Sequence, residues 1–133
     1  MAIIRTRPPV VLVGGLTKSW ALVNRPICLD FTAEGDFNWW QTKKCNKARI
    51  RCGAVGLSDR RVLIAGGLCS RQTTERSAEI LNPYTMEWKL VSPMLQARSG
   101  CSCNTLGTVG TRAIFTGGIG EDPEDADGYV LRF

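Results

Sequence analysis

Short apolar runs alternate with polar, glycine-rich stretches along the whole chain. Three of these runs, Val10-Val11-Leu12-Val13, Val62-Leu63-Ile64-Ala65 and Ala113-Ile114-Phe115-Thr116, end on a glycine pair: Gly14-Gly15, Gly66-Gly67 and Gly117-Gly118. A run this short, bounded by glycine and apolar without alternation, reads as a strand covered on both faces. The same pattern predicts strands over 10–13, 27–31 and 37–43, then 50–57, 61–67, 77–81 and 87–91, then 101–106, 112–118 and 129–133. Turn chemistry separates them at Gly35-Asp36, Ser58-Asp59-Arg60, Asn82-Pro83-Tyr84-Thr85 and 107–111. No stretch of useful length has helical periodicity.

The pattern repeats. The glycine pairs stand about 52 and 51 residues apart, close to the roughly 50-residue period of one class of β-repeat proteins. A second set of markers keeps step: Ala48-Arg49 with Cys52 matches Ala97-Arg98 with Cys101, and Trp39 matches Trp88, each at a shift of 49 positions. One glycine pair would carry little weight. Three in register with Ala-Arg and Trp markers define a repeat.

These residues resemble the kelch repeat, in which a strand ends in a glycine pair and a variable loop leads to a strand ending near Asp-Pro. A Trp, a Pro-Met and an Arg-Ser-Gly-like start follow. The middle segment matches well, with Asn82 where Asp is usual. In the first segment Asp30-Phe31 stands where Asn82-Pro83 stands, and Thr42-Lys43-Lys44-Cys45 replaces the Pro-Met stretch. The third stops after Tyr129-Val130-Leu131-Arg132-Phe133. The resemblance implies an all-β fold of kelch-type β-propeller blades, each a four-stranded antiparallel sheet. The predicted organisation is an N-terminal extension, 1–9, and a kelch-repeat region, 10–133. That region divides into a blade part at 10–47, a full blade at 48–97 and a second blade part at 98–133. About ten strands make two and a half blades, against the 4–8 of closed propellers. The chain is therefore expected to be part of a larger propeller, to close a ring by self-association, or to complete a partner's assembly.

Composition narrows the function. Of 133 residues, 44% are hydrophobic, enough for a packed core. No apolar run approaches the ~20 residues of a membrane helix. Gly14-Gly15 interrupts the only candidate for a signal-peptide core. With no Asn-X-Ser/Thr site either, the six cysteines (28, 45, 52, 69, 101, 103) are expected as reduced, mostly buried thiols in a cytoplasmic or nuclear setting. The net charge of +5 is uneven, with nine Lys/Arg and three acids in 1–51. A solvated face explains this better than nucleic acid, because no RNA-binding, zinc-finger or basic-helix motif accompanies it.

The chain has no histidine. That removes Ser-His-Asp and Cys-His catalysis and the usual proton shuttle near neutral pH. Galactose oxidase resembles kelch proteins in fold, but its copper site needs histidines. Cys101-Ser102-Cys103 places two thiols on one strand face, yet no Cys-X-X-Cys spacing supports a metal. The acidic stretch 121–128 fails the EF-hand pattern, since Pro123 stands where an acid should. No catalytic, cofactor-binding or metal residue is expected, and no cofactor.

What remains is a loop surface. The kelch resemblance implies partner binding through loops after the glycine pairs and between blades, here 16–26, 68–76, 119–128, 42–51 and 93–100. Lys18, Arg25, Arg71 and Arg76 lie in the first two, Arg51 follows the framework Arg49 by two positions, and Ser99 lies in the last. Arginine grips carboxylates bidentately, so an acidic peptide is the expected partner. Arg49 and Arg98 themselves are expected to brace blade junctions. Trp39 and Trp88 are expected between blades, and Trp40 to be freer. The expected function is a non-enzymatic protein-interaction module. A structural subunit within a larger complex is the alternative, and an enzyme or carbohydrate-binding protein on a galactose-oxidase-like propeller comes third. No BTB or F-box segment is recognisable.

Overall fold

The computed structural model describes residues 10–70, 73–107 and 112–120, and the backbone of 129–132. The expected extension at 1–9 lies outside them. Every described element is a strand, and every pairing is antiparallel. The first blade is a three-stranded sheet of β1 (Val10–Leu12), β2 (Ile27–Phe31) and β3 (Phe37–Gln41). The second is a complete four-stranded blade of β4 (Gly53–Gly56), β5 (Val62–Ala65), β6 (Ala78–Leu81) and β7 (Trp88–Val91), in that spatial order. A two-residue strand, β8 (Arg98–Ser99), leads into the third blade, β9 (Ser102–Leu106) and β10 (Arg112–Thr116). Beyond these, β11 (Ile119–Gly120) pairs back onto β8, and β12 (Tyr129–Arg132) adds to the free edge of β10.

The expected three, four and three strands are thus present, and the β8–β11 pair is an addition. It has a counterpart in the second blade, where Ile50 and Leu68 form an isolated bridge. Both pairings tie the entry of a blade's first strand to the segment leaving its glycine pair.

β5 explains why the run 62–65 does not alternate. Its Val62 and Ile64 join Leu81, Trp88 and Cys45 in a cluster with Val11 and Val13 of the first blade. Its Leu63 and Ala65 join Ala78, Ile80 and Met94 in a cluster with Cys101, Ala113 and Phe115 of the third. Successive side chains point to opposite faces, and a neighbouring blade covers each. A fully buried side chain of the size of Leu63 or Ile64 contributes about 1.5–3 kcal/mol.

Gly53 is needed for the second of these clusters. A Cβ there would stand 2.9 Å from ring carbons of Phe115. The glycine pairs act at the blade junctions. Gly66 (φ 71°) lies so close to the Arg98 carbonyl that a Cβ would approach it at 2.5 Å, and Gly14 stands in the same relation to the Arg49 carbonyl, at 2.7 Å. In both, a glycine at a strand exit receives the backbone that starts the next blade.

All six cysteines are free, and Cys28, Cys45 and Cys101 are buried. Burial, with the nearby Glu79 carboxylate, pushes the Cys45 thiol up to about 12. Burial does the same to Cys103, with Cys101 adding to it.

Candidate functional site

The antiparallel order brings the exits of β1, β5 and β10, the starts of β2 and β6, and the entries to β4 and β9 to one end of the blades. Arg49 and Arg98 anchor that end. Arg49 is 1% exposed. Its guanidinium donates to the carbonyls of Gly66 (3.0 Å) and Ser77 (2.9 Å), to Ser77 Oγ (3.1 Å) and to Glu79 Oε1 (2.7 Å). Arg98 repeats the first contact in the third blade, donating to the Gly117 carbonyl at 2.7 Å. Both are braces of blade junctions, as the sequence suggested.

Glu79 is the other half of this brace. It is fully buried within β6, where alternation gives no reason to expect a carboxylate. Besides Arg49 it accepts from the backbone N–H groups of Asn46 (2.8 Å) and Lys47 (3.0 Å) and from Asn46 Nδ2 (3.1 Å). The inter-blade segment 42–49 is therefore fastened along the second blade. Thr42 reinforces it by accepting a hydrogen bond from Trp88 Nε1 at 3.0 Å.

Glu75, itself buried, forms a smaller version with the half-exposed Lys47. It accepts from Lys47 Nζ (2.5 Å) and from the Ser77 N–H (2.9 Å). Burial opposes its ionisation, but Lys47 and Ser77 outweigh burial and hold the carboxyl at about 2 against an ordinary 4.5. A depressed folded value means stability that is present above about 4.5 and lost as pH falls toward 2. Glu75→Gln should flatten the urea-midpoint profile between pH 5 and pH 2.5. The expected effect is on the order of 1–2 kcal/mol, reduced by solvent around the half-exposed Lys47. An unchanged profile would remove Glu75 from this role.

Both described acids of this end are thus consumed internally. Lys18, Arg25, Arg51 and Arg76 are all exposed there. Among the described residues none of their side chains forms an ion pair. Lys18 sits in a tight loop closed by Thr17 N–H to the Ala21 carbonyl (2.9 Å) and by the Leu16–Leu22 bridge. Arg76 lies two residues before β6, its carbonyl held by Met94 N–H at 2.9 Å. Arg71 and the acidic stretch 121–128 lie outside the described residues.

Arg51 is the most constrained of the four. Its φ is +53°, left-handed backbone that costs a non-glycine residue about 1–2 kcal/mol. Its carbonyl accepts from Gly100 N–H at 2.7 Å. Gly100 is its repeat equivalent, 49 positions on, and is also left-handed at +71°. The first repeat junction holds an arginine where the second holds glycine. That mismatch is a sequence signal the reading from the framework Arg49 did not use.

Two expectations are corrected. Ser99 is not on this surface: it is 5% exposed, its backbone paired to Ile119 in the β8–β11 pair. Trp39 is not between blades. It is 53% exposed, while its equivalent Trp88 is 8% exposed and Trp40 is half-buried. In this chain a blade precedes Trp88, and none of the described residues covers Trp39. Lys47 and Glu75 were missed, because neither carries a repeat signature.

No protein-family model and no curated protein matches the chain. Among solved structures 123 chains are similar to it. One is a fungal alcohol oxidase of the AA5 family in complex with copper, similar over 90% of this chain with a TM-score of 0.69 and 15% identity. The chain spans 26% of that protein's length. No helix among the described residues is long and apolar enough to cross a membrane. The stacked antiparallel sheets and this likeness show an all-β chain of β-propeller type, made of partial and complete blades.

Proposed function

We propose that the chain is a non-catalytic, kelch-type protein-interaction module that holds an acidic peptide segment against the glycine-pair end of its blades. One observation carries this reading. The described acids of that end, Glu75 and Glu79, are tied up inside the blade junction, while Lys18, Arg25, Arg51 and Arg76 stand exposed without ion pairs among the described residues. Arg51 holds its guanidinium out from a backbone conformation that glycine would adopt more easily. Strained backbone of this kind concentrates at binding sites.

The copper chemistry of the alcohol oxidase does not carry over. The chain has no histidine, no group of three His, Cys, Asp or Glu side chains is placed to hold a metal among the described residues, and burial keeps Cys45 and Cys103 protonated. These residues do not fit a copper centre.

Arg51→Gly separates binding from folding, because glycine relieves the left-handed strain while removing the guanidinium. Stability should stay level or rise by up to about 1 kcal/mol. Affinity for a fluorescein-labelled glutamate-rich peptide, read by anisotropy at low salt, should fall about ten-fold or more. Equal binding by wild type and variant, or wild-type binding no tighter than to a lysine-rich control peptide, would overturn the proposal.

A second reading, a subunit that packs within a larger assembly, is favoured by a different observation: the outer face of the first blade is apolar and exposed.

A further inference from the structure

The loop between β1 and β2 is built to hold one side chain outward. Leu16 and Leu22 bridge across its base. Thr17 N–H donates to the Ala21 carbonyl at 2.9 Å, and Trp20 N–H turns back to the Thr17 carbonyl at 2.9 Å. Thr17 Oγ1 also accepts from the Ala21 N–H at 3.1 Å. At the tip stands Trp20, 76% exposed, the most exposed of the four tryptophans. Its φ is +62°, left-handed backbone that favours glycine.

The repeat shows that neither loop closure nor a missing neighbour accounts for this tryptophan. The second blade closes the same loop in the same way, with a Leu68–Thr74 bridge and Cys69 N–H donating to the Thr73 carbonyl at 3.1 Å. Each of these residues stands 52 positions after its counterpart, and the residue 52 positions after Trp20 is Gln72. The closure does not depend on an indole. The second blade is packed against a neighbour on each side, yet Ser70 and Thr73 of its loop are exposed. Blade stacking therefore leaves this loop open.

Charge decides what Trp20 meets. Lys18 and Arg25 belong to the same loop and are exposed, and residues 1–29 hold no acid. The foot of the loop stands on the junction that carries Arg51. A Cβ on Gly14 would lie 2.7 Å from the Arg49 carbonyl and 3.8 Å from Ile50 Cα, and Cys45 N–H donates to the Asn24 carbonyl at 2.8 Å. The indole and the exposed cations thus share the glycine-pair end. Ion pairs on an open surface are screened and weak. An apolar contact among them adds area removed from water and excludes solvent from the neighbouring pairs, and tryptophan is enriched among the residues that dominate such contacts.

Building on the peptide-binding reading, we infer that Trp20 is the apolar anchor of this surface, taking an aliphatic side chain of an acidic segment whose carboxylates meet Lys18, Arg25 and Arg51. The ligand class narrows from an acidic peptide to one with a leucine-like residue among its acids.

The test compares two fluorescein-labelled peptides of equal glutamate content, one with a central leucine and one with serine in its place, by anisotropy on the whole chain. Wild type should bind the leucine peptide about ten-fold more tightly. Trp20→Gly relieves the left-handed backbone, and in it that preference should disappear. Trp20→Asn, also tolerant of this conformation, serves if the glycine variant does not fold. Trp39→Gln, on the outer face of the first blade, should keep the preference. Equal binding of the two peptides by wild type would overturn the inference. So would a preference that survives a folded Trp20 variant or is lost in Trp39→Gln. In those cases glutamate-peptide binding that still falls in Arg51→Gly leaves the peptide-binding reading standing. A lysine-rich peptide with a central leucine that binds as tightly as the glutamate one would overturn that reading and this inference together.

Discussion

Glu79→Ala should destabilise the chain by about 3–5 kcal/mol, a large share of the stability of a chain this size. The size follows from what the carboxylate holds. Removing it leaves the Arg49 guanidinium buried with only carbonyl and hydroxyl partners, and strips the Asn46 and Lys47 N–H groups of their acceptor. An uncompensated buried charge is the costly outcome, far more than the net worth of the intact pair. Replacing Arg49 and Glu79 together by apolar residues does not escape the loss, because those backbone donors and the carbonyls of Gly66 and Ser77 still lose their partners. The control is Glu87→Ala. Glu87 pairs with Lys43 on the surface, both side chains more than half exposed, and its loss should leave the urea midpoint where it was. Equal midpoints for the two variants would show that Glu79 is not the fastening described.

Gly66→Ala is the second large effect, about 2–5 kcal/mol, and its partner substitution makes it diagnostic. Alanine at Gly66 suffers twice. Its φ of 71° is left-handed, costing about 1–2 kcal/mol. Its Cβ would also press to 2.5 Å from the Arg98 carbonyl and 2.9 Å from Met94 Cε, and overpacking of this sort adds about 1–3 kcal/mol. Gly117 is the same residue one repeat later, at φ 68°, with nothing within 4 Å of its Cβ position. Gly117→Ala should therefore cost only the backbone share, about 1–2 kcal/mol. The difference in denaturation midpoint between the variants measures the closeness of the blade junction alone. Equal losses would mean that conformation, not contact, selects glycine at this position.

The repeat was legible because its markers answer to backbone geometry. A glycine pair is required wherever a strand exits against the backbone of the next blade, so its spacing reports the blade spacing whatever the side chains around it do. Trp39 shows the limit of such periodicity. The register assigns it the same sheet position as Trp88, correctly, but burial depends on a neighbour that a position in a repeat cannot supply. The β8–β11 pair escaped for another reason. Two residues carry no hydropathy pattern, and the expected bracing role of Arg98 says nothing of the backbone pairing of Ser99 with Ile119. Glu79 lies at the centre of β6, where an acid normally argues against burial. Only the fold of 42–49 across it reveals its partners. At the candidate site the cations could be named from loop position. The strain at Arg51 could be suspected only by setting it against Gly100.

Among the described blades, the second is packed against a neighbour on each side. In a stack where each unit touches only the next, stability is a sum of nearest-neighbour interfaces. The backbone amides of β5 and β6 are released to solvent only when both interfaces fail, whereas those of β1 or β10 are released when one does. Among the described blades the second therefore opens last, and its slowest-exchanging amides mark the unit that limits its lifetime against proteolysis.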